Sequence, residues 1–124
     1  PEGYELTPAV RAEAEALANA TGGSIRYTHD QDEALNGAKT VYAKAWGPAT
    51  GATAIPMTDL KPWMPTAASM AKAAADAVFL HCLPVRRNLE VHDSVLDGAW
   101  SRVVDGAENR IHVQRAVLDL LLNS

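Results

Sequence analysis

The chain has 124 residues, of which 48% are hydrophobic and 21% charged, a balance typical of one globular domain rather than of a disordered chain. The formal net charge of -4 argues against nucleic acid as the main partner, because nucleic-acid binding needs a basic surface. The single cysteine excludes an internal disulfide and favours a reducing, cytoplasmic location, and no apolar run approaches the roughly 20 residues that cross a bilayer.

Helix and strand signals alternate along the first half of the chain. Thr7 and Pro8 are typical of an N-cap and a first helical position, and the alanine-rich run that follows predicts helix as far as Ala20. Short patterns predict three further elements, which are a strand over 24–28, a helix over 30–35 and a strand over 40–43. Residues 47–65 contain four prolines and two glycines, so they predict a long loop, with one helical turn over 58–60.

The second half continues this alternation. Alanine content predicts a helix over 66–75, and the continuous apolar run at 77–80 predicts a strand buried on both faces. The remaining predicted elements are a short helix over 93–96, a strand over 102–104 and a long closing helix over 108–122. Helices that alternate with short apolar strands indicate an α/β fold, in which a parallel sheet carries helices on both faces.

Unusual side chains follow three of the predicted strands. Lys44 follows the strand at 40–43, and the sequence His-Cys-Leu-Pro at 81–84 follows the strand at 77–80. The last strand is followed by residues 105–110, which run from Asp105 to Arg110. Ligands of parallel α/β sheets bind at the carboxyl ends of the strands, so we expect these residues on one rim. The cationic side chains near these ends are Lys44, Arg86, Arg87 and Arg110. They would suit a small anion such as a carboxylate or a phosphate.

Each of these residues also has an ordinary structural interpretation. Cys82 has no second cysteine at metal-ligand spacing and is compatible with a small buried side chain. His81 is compatible with a satisfied buried histidine, and the cationic residues with a solvated surface. The sequence contains no glycine fingerprint, P-loop or H-E-x-x-H motif, and no metal site is predicted. The residues alone therefore indicate an α/β domain whose rim suits a small anionic ligand.

Two motifs resemble signatures of the ornithine carbamoyltransferases, namely HCLP at 81–84 and AENR at 107–110. The stretch VYAKAWG at 41–47 and the double arginine of HCLPVRRN narrow the resemblance to N-acylornithine carbamoyltransferases, which take N-acetyl- or N-succinylornithine. The resemblance covers essentially all 124 residues. It implies a Rossmann-like second domain: residues 1–124 would be most of the C-terminal, ornithine-binding domain. The N-terminal carbamoyl phosphate domain and the leading strand of the sheet would be absent.

The same resemblance implies roles for individual residues. Cys82 and Leu83 would be catalytic and would line the site where carbamoyl phosphate meets the δ-amino group, with Leu83 offering its backbone carbonyl. Arg110 would reach carbamoyl phosphate, and Lys44 and Arg86 would hold the carboxylates of the acylated substrate. The implied reaction transfers a carbamoyl group to an N-acylornithine in arginine biosynthesis and needs no cofactor or metal ion.

The resemblance also implies partners and a moving loop. The expected partners are carbamoyl phosphate, an N-acylornithine and the remainder of the same enzyme, which would be a homotrimer when intact, with no membrane involved. The loop at 47–65 would close over the substrate. The helix at 108–122 is apolar on more than one side, so we expect another polypeptide segment to cover it.

Three other functions stay open at this point. One is an ordinary ornithine carbamoyltransferase, and another is a non-catalytic α/β domain that binds a small anion. The third is a fragment of a nucleotide-binding oxidoreductase, which would need a glycine fingerprint after a strand. That fingerprint is absent from this sequence.

Overall fold

The computed structural model describes residues 1–44, 46–47 and 54–123. Its helices are α1 (Pro8–Ala20), α2 (Gln31–Leu35), α3 (Met57–Leu60), α4 (Ala67–Met70), α5 (Asp93–Leu96) and α6 (Val103–Leu122), and its strands are β1 (Thr40–Ala43) and β2 (Val78–His81). A 3₁₀ turn at Lys61–Trp63 follows α3. Within these described ranges, no helix is both long enough and apolar enough to cross a membrane.

The two strands form a parallel sheet. Their register places Tyr42 beside Leu80 and Ala43 beside His81. Beyond β2, an isolated parallel bridge joins Phe79 to Ser101, so β2 lies between β1 and the segment that leads into α6. The predicted α/β fold with a parallel sheet is therefore confirmed.

Helices lie against both faces of β2, but only the face that carries Phe79 and His81 is buried, whereas Val78 and Leu80 are half-buried. Phe79 is completely buried and belongs to the same core cluster as Met70 of α4 and Val95 of α5. Leu80 points to the opposite face, since side chains alternate along a strand. There it meets α6, where a Cβ added to Gly106 would lie 3.3 Å from Cδ2 of Leu80. The absence of a side chain at this glycine lets α6 approach the sheet closely, beside the end of β2.

Local signals set the starts of several helices. The hydroxyl of Thr7 accepts the amide of Val10, and the carboxylate of Asp30 caps α2. Thr66 and Ser69 form a reciprocal capping box at α4. The predicted helix to Ala20, the short helix ending at Leu35 and the helical turn over 58–60 are confirmed as α1, α2 and α3.

The strand predicted over 24–28 is wrong. Ile25 and Tyr27 alternate as a strand requires, but the segment has no regular structure. A strand needs backbone hydrogen bonds to a neighbour, and no described strand pairs with this segment. Tyr27 packs under Arg11 instead, with its ring centroid 4.4 Å from the guanidinium carbon.

The strand predicted over 102–104 is also wrong, because α6 already begins at Val103 rather than at residue 108. The amide of Arg102 donates to the carbonyl of Phe79 at 2.9 Å, and the pairing with β2 ends there. Val103 then turns into the core, whereas Val104 is 76% exposed. Val103 faces the core and Val104 faces solvent. This alternation is compatible with the first turn of a helix as well as with a strand.

The helix predicted over 66–75 is shorter than expected and ends at Met70. After Met70 the backbone forms tighter turns, in which the amide of Ala73 donates to the carbonyl of Met70 at 3.0 Å. The amide of Ala74 then donates to Ala38, which lies ahead of β1. The helical preference of alanine is weak enough for this tertiary hydrogen bond to override it.

A broad apolar surface lies along α6. Its exposed apolar side chains include Val104, Ile111, Val113, Val117, Leu118 and Leu120. Helix α1 contains no buried residue, whereas α6 buries only Val103. Apolar patches larger than a few hundred Å² are uncommon on stable monomers. That another polypeptide segment covers this surface stays a prediction.

Candidate functional site

The turn that leaves β2 is held by its own side chains. The amide of Leu83 donates to Nδ1 of His81 at 2.9 Å. Leu83 has a φ of 55°, in the left-handed region that costs a non-glycine residue roughly 1–2 kcal/mol. Its hydrogen bond to the buried histidine and its packing against the core offset this cost. The turn therefore holds Leu83 and Cys82 in one fixed backbone arrangement.

Cys82 and Arg110 line a common cavity of about 350 Å³, which we call the cysteine cavity. It lies between the ends of the strands and the start of α6, and Tyr42 and Gly106 also line it. Because Tyr42 pairs with Leu80 in the sheet register, both side chains point toward α6. The structure therefore brings together the thiol and one of the predicted cations.

Lys44 lies beside a second cavity of about 480 Å³, which we call the lysine cavity. Trp46, Leu60 and Trp63 also line it, and Tyr42 lines both cavities. No aspartate or glutamate is found among the described residues around either cavity. Lys44 thus lies near the same end of the sheet as Cys82, but Lys44 and Cys82 line separate cavities that share Tyr42 as a lining residue.

Arg86 and Leu83 are not among the described residues that line these two cavities. Arg86 lies just beyond the turn and is bound by Glu90. The carboxylate of Glu90 accepts hydrogen bonds from Nε of Arg86 at 2.8 Å and from Nη2 at 2.6 Å. The side chain of Arg86 is nevertheless 53% exposed, and no hydrogen bond joins its Nη1 to any described residue. One edge of the guanidinium is occupied, and the other faces solvent.

Arg87 serves a different purpose from its neighbour. Its guanidinium forms a bidentate pair with Asp97, at 2.6 and 2.7 Å, and also donates to Asp93 at 2.8 Å. The hydrogen bonds to Asp97 and Asp93 raise the pKa of Arg87 above its usual value. The two arginines of the sequence motif therefore separate: Arg87 ties the chain to α5, whereas Arg86 keeps an open edge.

Glu90 and His81 form a buried pair behind the turn, with side chains 1% and 0% exposed. Burial lowers the pKa of His81, although the charge of Glu90 acts in the opposite direction. Burial alone would raise the pKa of Glu90, but hydrogen bonds from the amide and guanidinium of Arg86 outweigh it and lower the pKa. At neutral pH the histidine is therefore uncharged and the glutamate ionised.

We expect the free energy of unfolding to decrease as the pH falls below about 6.5, the ordinary pKa of histidine. Because the folded pKa of His81 is lowered, the unfolded chain binds more protons between the two pKa values, and protonation favours unfolding. Urea denaturation between about pH 7.5 and about pH 5 checks this, in a range where Glu90 stays ionised. His81→Asn keeps an acceptor for the amide of Leu83 but cannot titrate, so its stability should depend less on pH. Identical pH dependences would contradict the prediction.

Glu90 and Tyr42 are absent from the site residues predicted from the sequence. Glu90 lies four residues after Arg86, and this spacing next to a basic residue could have marked it as a partner. Tyr42 could have been found from strand alternation together with the register against β2. Ala45 of the VYAKAWG stretch and residues 48–53 of the predicted closing loop lie outside the described residues. In the part that is described, no group of three or more His, Cys, Asp or Glu side chains could hold a metal ion.

Comparison with known proteins gives one consistent family. The sequence profile described as "Aspartate/ornithine carbamoyltransferase, Asp/Orn binding domain" matches residues 1–121. The ornithine carbamoyltransferase of Staphylothermus marinus is 42% identical over 125 residues, which cover 98% of this chain and 40% of that protein. The chain thus spans about 40% of the length of this curated relative.

Solved structures agree with the sequence comparison. The ornithine carbamoyltransferase from Pyrococcus furiosus has a TM-score of 0.86 at 38% identity, covering 95% of this chain and 38% of that one. A mutant N-acetyl-L-ornithine transcarbamylase complexed with carbamyl phosphate and N-succinyl-L-norvaline has a TM-score of 0.85 at 34% identity. The match covers 95% of this chain and 37% of that one.

These relatives are carbamoyltransferases, and their likeness extends over nearly all of this chain. The resemblance carried by HCLP and AENR is therefore confirmed at the level of the family. The narrower resemblance to N-acylornithine enzymes stays a prediction, since the curated relative named above is an ornithine carbamoyltransferase. This chain belongs to the aspartate/ornithine carbamoyltransferase family, whose amino-acid-binding domain it matches from residue 1 to residue 121.

Proposed function

We propose that this chain forms the amino-acid-binding part of an N-acylornithine carbamoyltransferase. The reaction transfers a carbamoyl group from carbamoyl phosphate to the δ-amino group of N-succinyl- or N-acetylornithine, and it yields N-acylcitrulline and phosphate in arginine biosynthesis. One observation carries the proposal: Cys82 and Arg110 share a cavity at the carboxyl ends of the strands, and Arg86 follows the same turn with one edge open.

The chemistry asks mainly for positioning and charge stabilisation. The neutral δ-amine attacks the carbonyl carbon, a C–N bond forms, and the intermediate then releases phosphate as its C–O bond breaks. The proton lost by the amine leaves with the phosphate. The carbonyl of Leu83 would accept a hydrogen bond from the amine and orient its lone pair, and Arg110 would stabilise negative charge on the phosphate. This chemistry calls on no redox or electrophilic cofactor.

The open edge of Arg86 would bind a carboxylate of the amino-acid substrate. Nε and one side of Nη2 are engaged by Glu90, so a carboxylate would approach across Nη1 and Nη2. Such an approach still permits two parallel hydrogen bonds. Lys44, exposed at the end of β1, would bind the second carboxylate that a succinyl group adds.

The charges around the two cavities support an acylated substrate. The free α-ammonium group of ornithine would be stabilised by a nearby carboxylate, whereas an acylated α-nitrogen carries no charge. Neither the cysteine cavity nor the lysine cavity has an acidic residue among its described lining. An N-acyl group would therefore leave no uncompensated positive charge beside Lys44.

The second candidate is an ordinary ornithine carbamoyltransferase, and the 42% identity to the Staphylothermus marinus enzyme favours it. The two candidates share the turn at 81–84 and Arg110. They differ in the group on the α-nitrogen, so a comparison of substrates separates them.

The proposed partners are carbamoyl phosphate, an N-acylornithine and the remainder of the same enzyme. The apolar side chains along α6 are exposed to solvent, and packing against a carbamoyl phosphate domain would bury them. Under this proposal the chain is most of a C-terminal domain, and the intact enzyme is a homotrimer.

Carbamoyl transfer should be measured with this chain alone and with the chain joined to its carbamoyl phosphate domain. We expect turnover only in the joined protein, with N-succinyl- or N-acetylornithine preferred to ornithine. Preference for ornithine would establish the second candidate instead. Binding of an N-acylornithine without turnover in the joined protein would leave a non-catalytic binding domain.

A further inference from the structure

Glu90 is a buried charge for which the proposed reaction provides no direct task. Its side chain is 1% exposed, and burying a carboxylate is costly unless hydrogen bonds compensate it. Three donors compensate it here, all from one residue: the backbone amide of Arg86 at 2.9 Å, Nε at 2.8 Å and Nη2 at 2.6 Å. Glu90 therefore fixes both the backbone and the guanidinium plane of Arg86.

The same carboxylate also faces the histidine that holds the turn. Oε2 of Glu90 lies 3.7 Å from Nε2 of His81. Nδ1 of His81 accepts the amide of Leu83, so the proton of the neutral ring is on Nε2. This Nε2 is buried without a hydrogen-bond partner among the described residues, and the nearby negative charge favours a proton there. Switching the proton to Nδ1 would break the hydrogen bond that holds Leu83.

We propose that Glu90 is a positioning residue that couples the two halves of the amino-acid site. One oxygen aims Arg86 at the substrate carboxylate, and the other holds the His81 tautomer that orients the Leu83 peptide. The role rests on the proposed function, since it assigns Arg86 to the substrate and the Leu83 carbonyl to the reacting amine.

The test is Glu90→Gln in the protein that joins this chain to its carbamoyl phosphate domain. Glutamine keeps the shape but loses the charge, and its amide can donate to Nε2 of His81. We expect the KM for the amino-acid substrate to rise about tenfold or more, the size of a lost charged hydrogen bond. We also expect a lower kcat, with the KM for carbamoyl phosphate nearly unchanged. The aspartate of Glu90→Asp keeps the charge but is too short to reach both Arg86 and His81. Its KM for the amino-acid substrate and its kcat should therefore stay close to those of Glu90→Gln.

Asp97→Asn is the matched control. It removes an equivalent carboxylate from the neighbouring Arg87, and both KM values should stay as in the wild type. A merely structural role for Glu90 would lower the active fraction and leave both KM values unchanged. That result, from a folded Glu90→Gln protein, would overturn the proposal.

A spectroscopic reading is independent of turnover. In the wild-type chain, ¹⁵N NMR should show His81 protonated at Nε2 and the Nε–H of Arg86 protected from solvent exchange. In Glu90→Gln we expect proton density to move to Nδ1, with a shift of the Leu83 amide. A wild-type chain with His81 protonated at Nδ1, or with Arg86 Nε–H exchanging freely, would overturn the proposal even if the variant does not fold. If the joined wild-type protein lacks turnover but shows these signals, the proposed function fails, and the role of Glu90 toward the substrate fails with it. The hydrogen bonds from Glu90 to Arg86 and the His81 tautomer would still stand as structural features.

Discussion

Replacing Phe79 with alanine is expected to destabilise the protein by about 3–5 kcal/mol, the usual cost of truncating a buried phenylalanine. Phe79 is fully buried at the centre of β2 and belongs to a core cluster with Met70, Val91 and Val95. Its amide donates to the carbonyl of Trp100 and its carbonyl accepts from the amide of Arg102, so the backbone is held to the segment before α6 and is poorly placed to close the cavity. A small domain has only about 5–15 kcal/mol of total stability, so much of the variant should unfold under mild conditions.

Urea denaturation measures this effect, and the control is Val104→Ala. Val104 is 76% exposed, and surface substitutions of this kind usually change stability by less than about 0.5 kcal/mol. The leucine of Phe79→Leu fills most of the space, so the stability of this variant should lie between those of Phe79→Ala and Val104→Ala. Equal stabilities for Phe79→Ala and Val104→Ala would show that β2 is not the centre of the core.

Replacing Arg86 with alanine should weaken binding of the amino-acid substrate by about 1.5–3 kcal/mol, the range for a hydrogen bond to a charged group. The half-exposed guanidinium presents Nη1 to solvent while Glu90 fixes its orientation. Binding of carbamoyl phosphate should change much less, because that ligand is assigned to Arg110. Calorimetric titration of each ligand into the joined protein measures both affinities. Equal losses for the two ligands would reject a selective role for Arg86.

Arg87→Ala is the control for that experiment. Arg87 is adjacent in sequence and equally basic, but its donors are committed to Asp93 and Asp97. Its removal should leave both affinities unchanged. The Arg86 variant also leaves Glu90 with only a backbone donor, so its stability should be measured in parallel. A loss of affinity that merely follows a loss of folded protein would not support the assignment.

A buried carboxylate, Glu90, holds several residues of the predicted site in place. The thiol and the Leu83 carbonyl belong to the turn after β2, and Arg86 belongs to the loop beyond it. The turn and the loop are both held by one buried carboxylate. Glu90 accepts hydrogen bonds from Arg86 of the loop and lies against the ring of His81, which holds the turn. The front of the site can therefore stay open to a ligand, while the hydrogen bonds that define its geometry are shielded from water.

Local chemistry was sufficient to predict several elements from the sequence. The Thr7 cap, the short helix ending at Leu35 and the turn at 58–60 depend on contacts within a few residues, and all three appear where expected. The apolar run before His81 likewise predicted a strand, which is found at Val78–His81, but only its Phe79 and His81 side chains are buried, so the prediction of burial on both faces is wrong. The motif residues Cys82 and Arg110 were expected at one rim, and the structure places them in one cavity.

Elements that depend on a distant partner could not be predicted from the sequence. The strand pattern at 24–28 was misleading, because no described strand pairs with that segment. The pattern at 102–104 was equally compatible with the first turn of α6, and only the single bridge from Phe79 to Ser101 shows where pairing ends.

The α/β alternation, the Thr7 cap of α1 and the cationic residues near the strand ends could be predicted from the sequence, since they follow from residue type and short spacing. The different contacts of the two adjacent arginines depend on long-range packing, so they could not be predicted from the sequence. Arg87 lies within reach of Asp93 and Asp97, whereas Arg86 lies against a buried glutamate with one edge exposed. The two residues are identical in side chain and adjacent in the chain. Their roles differ because the backbone points one guanidinium toward α5 and the other toward Glu90.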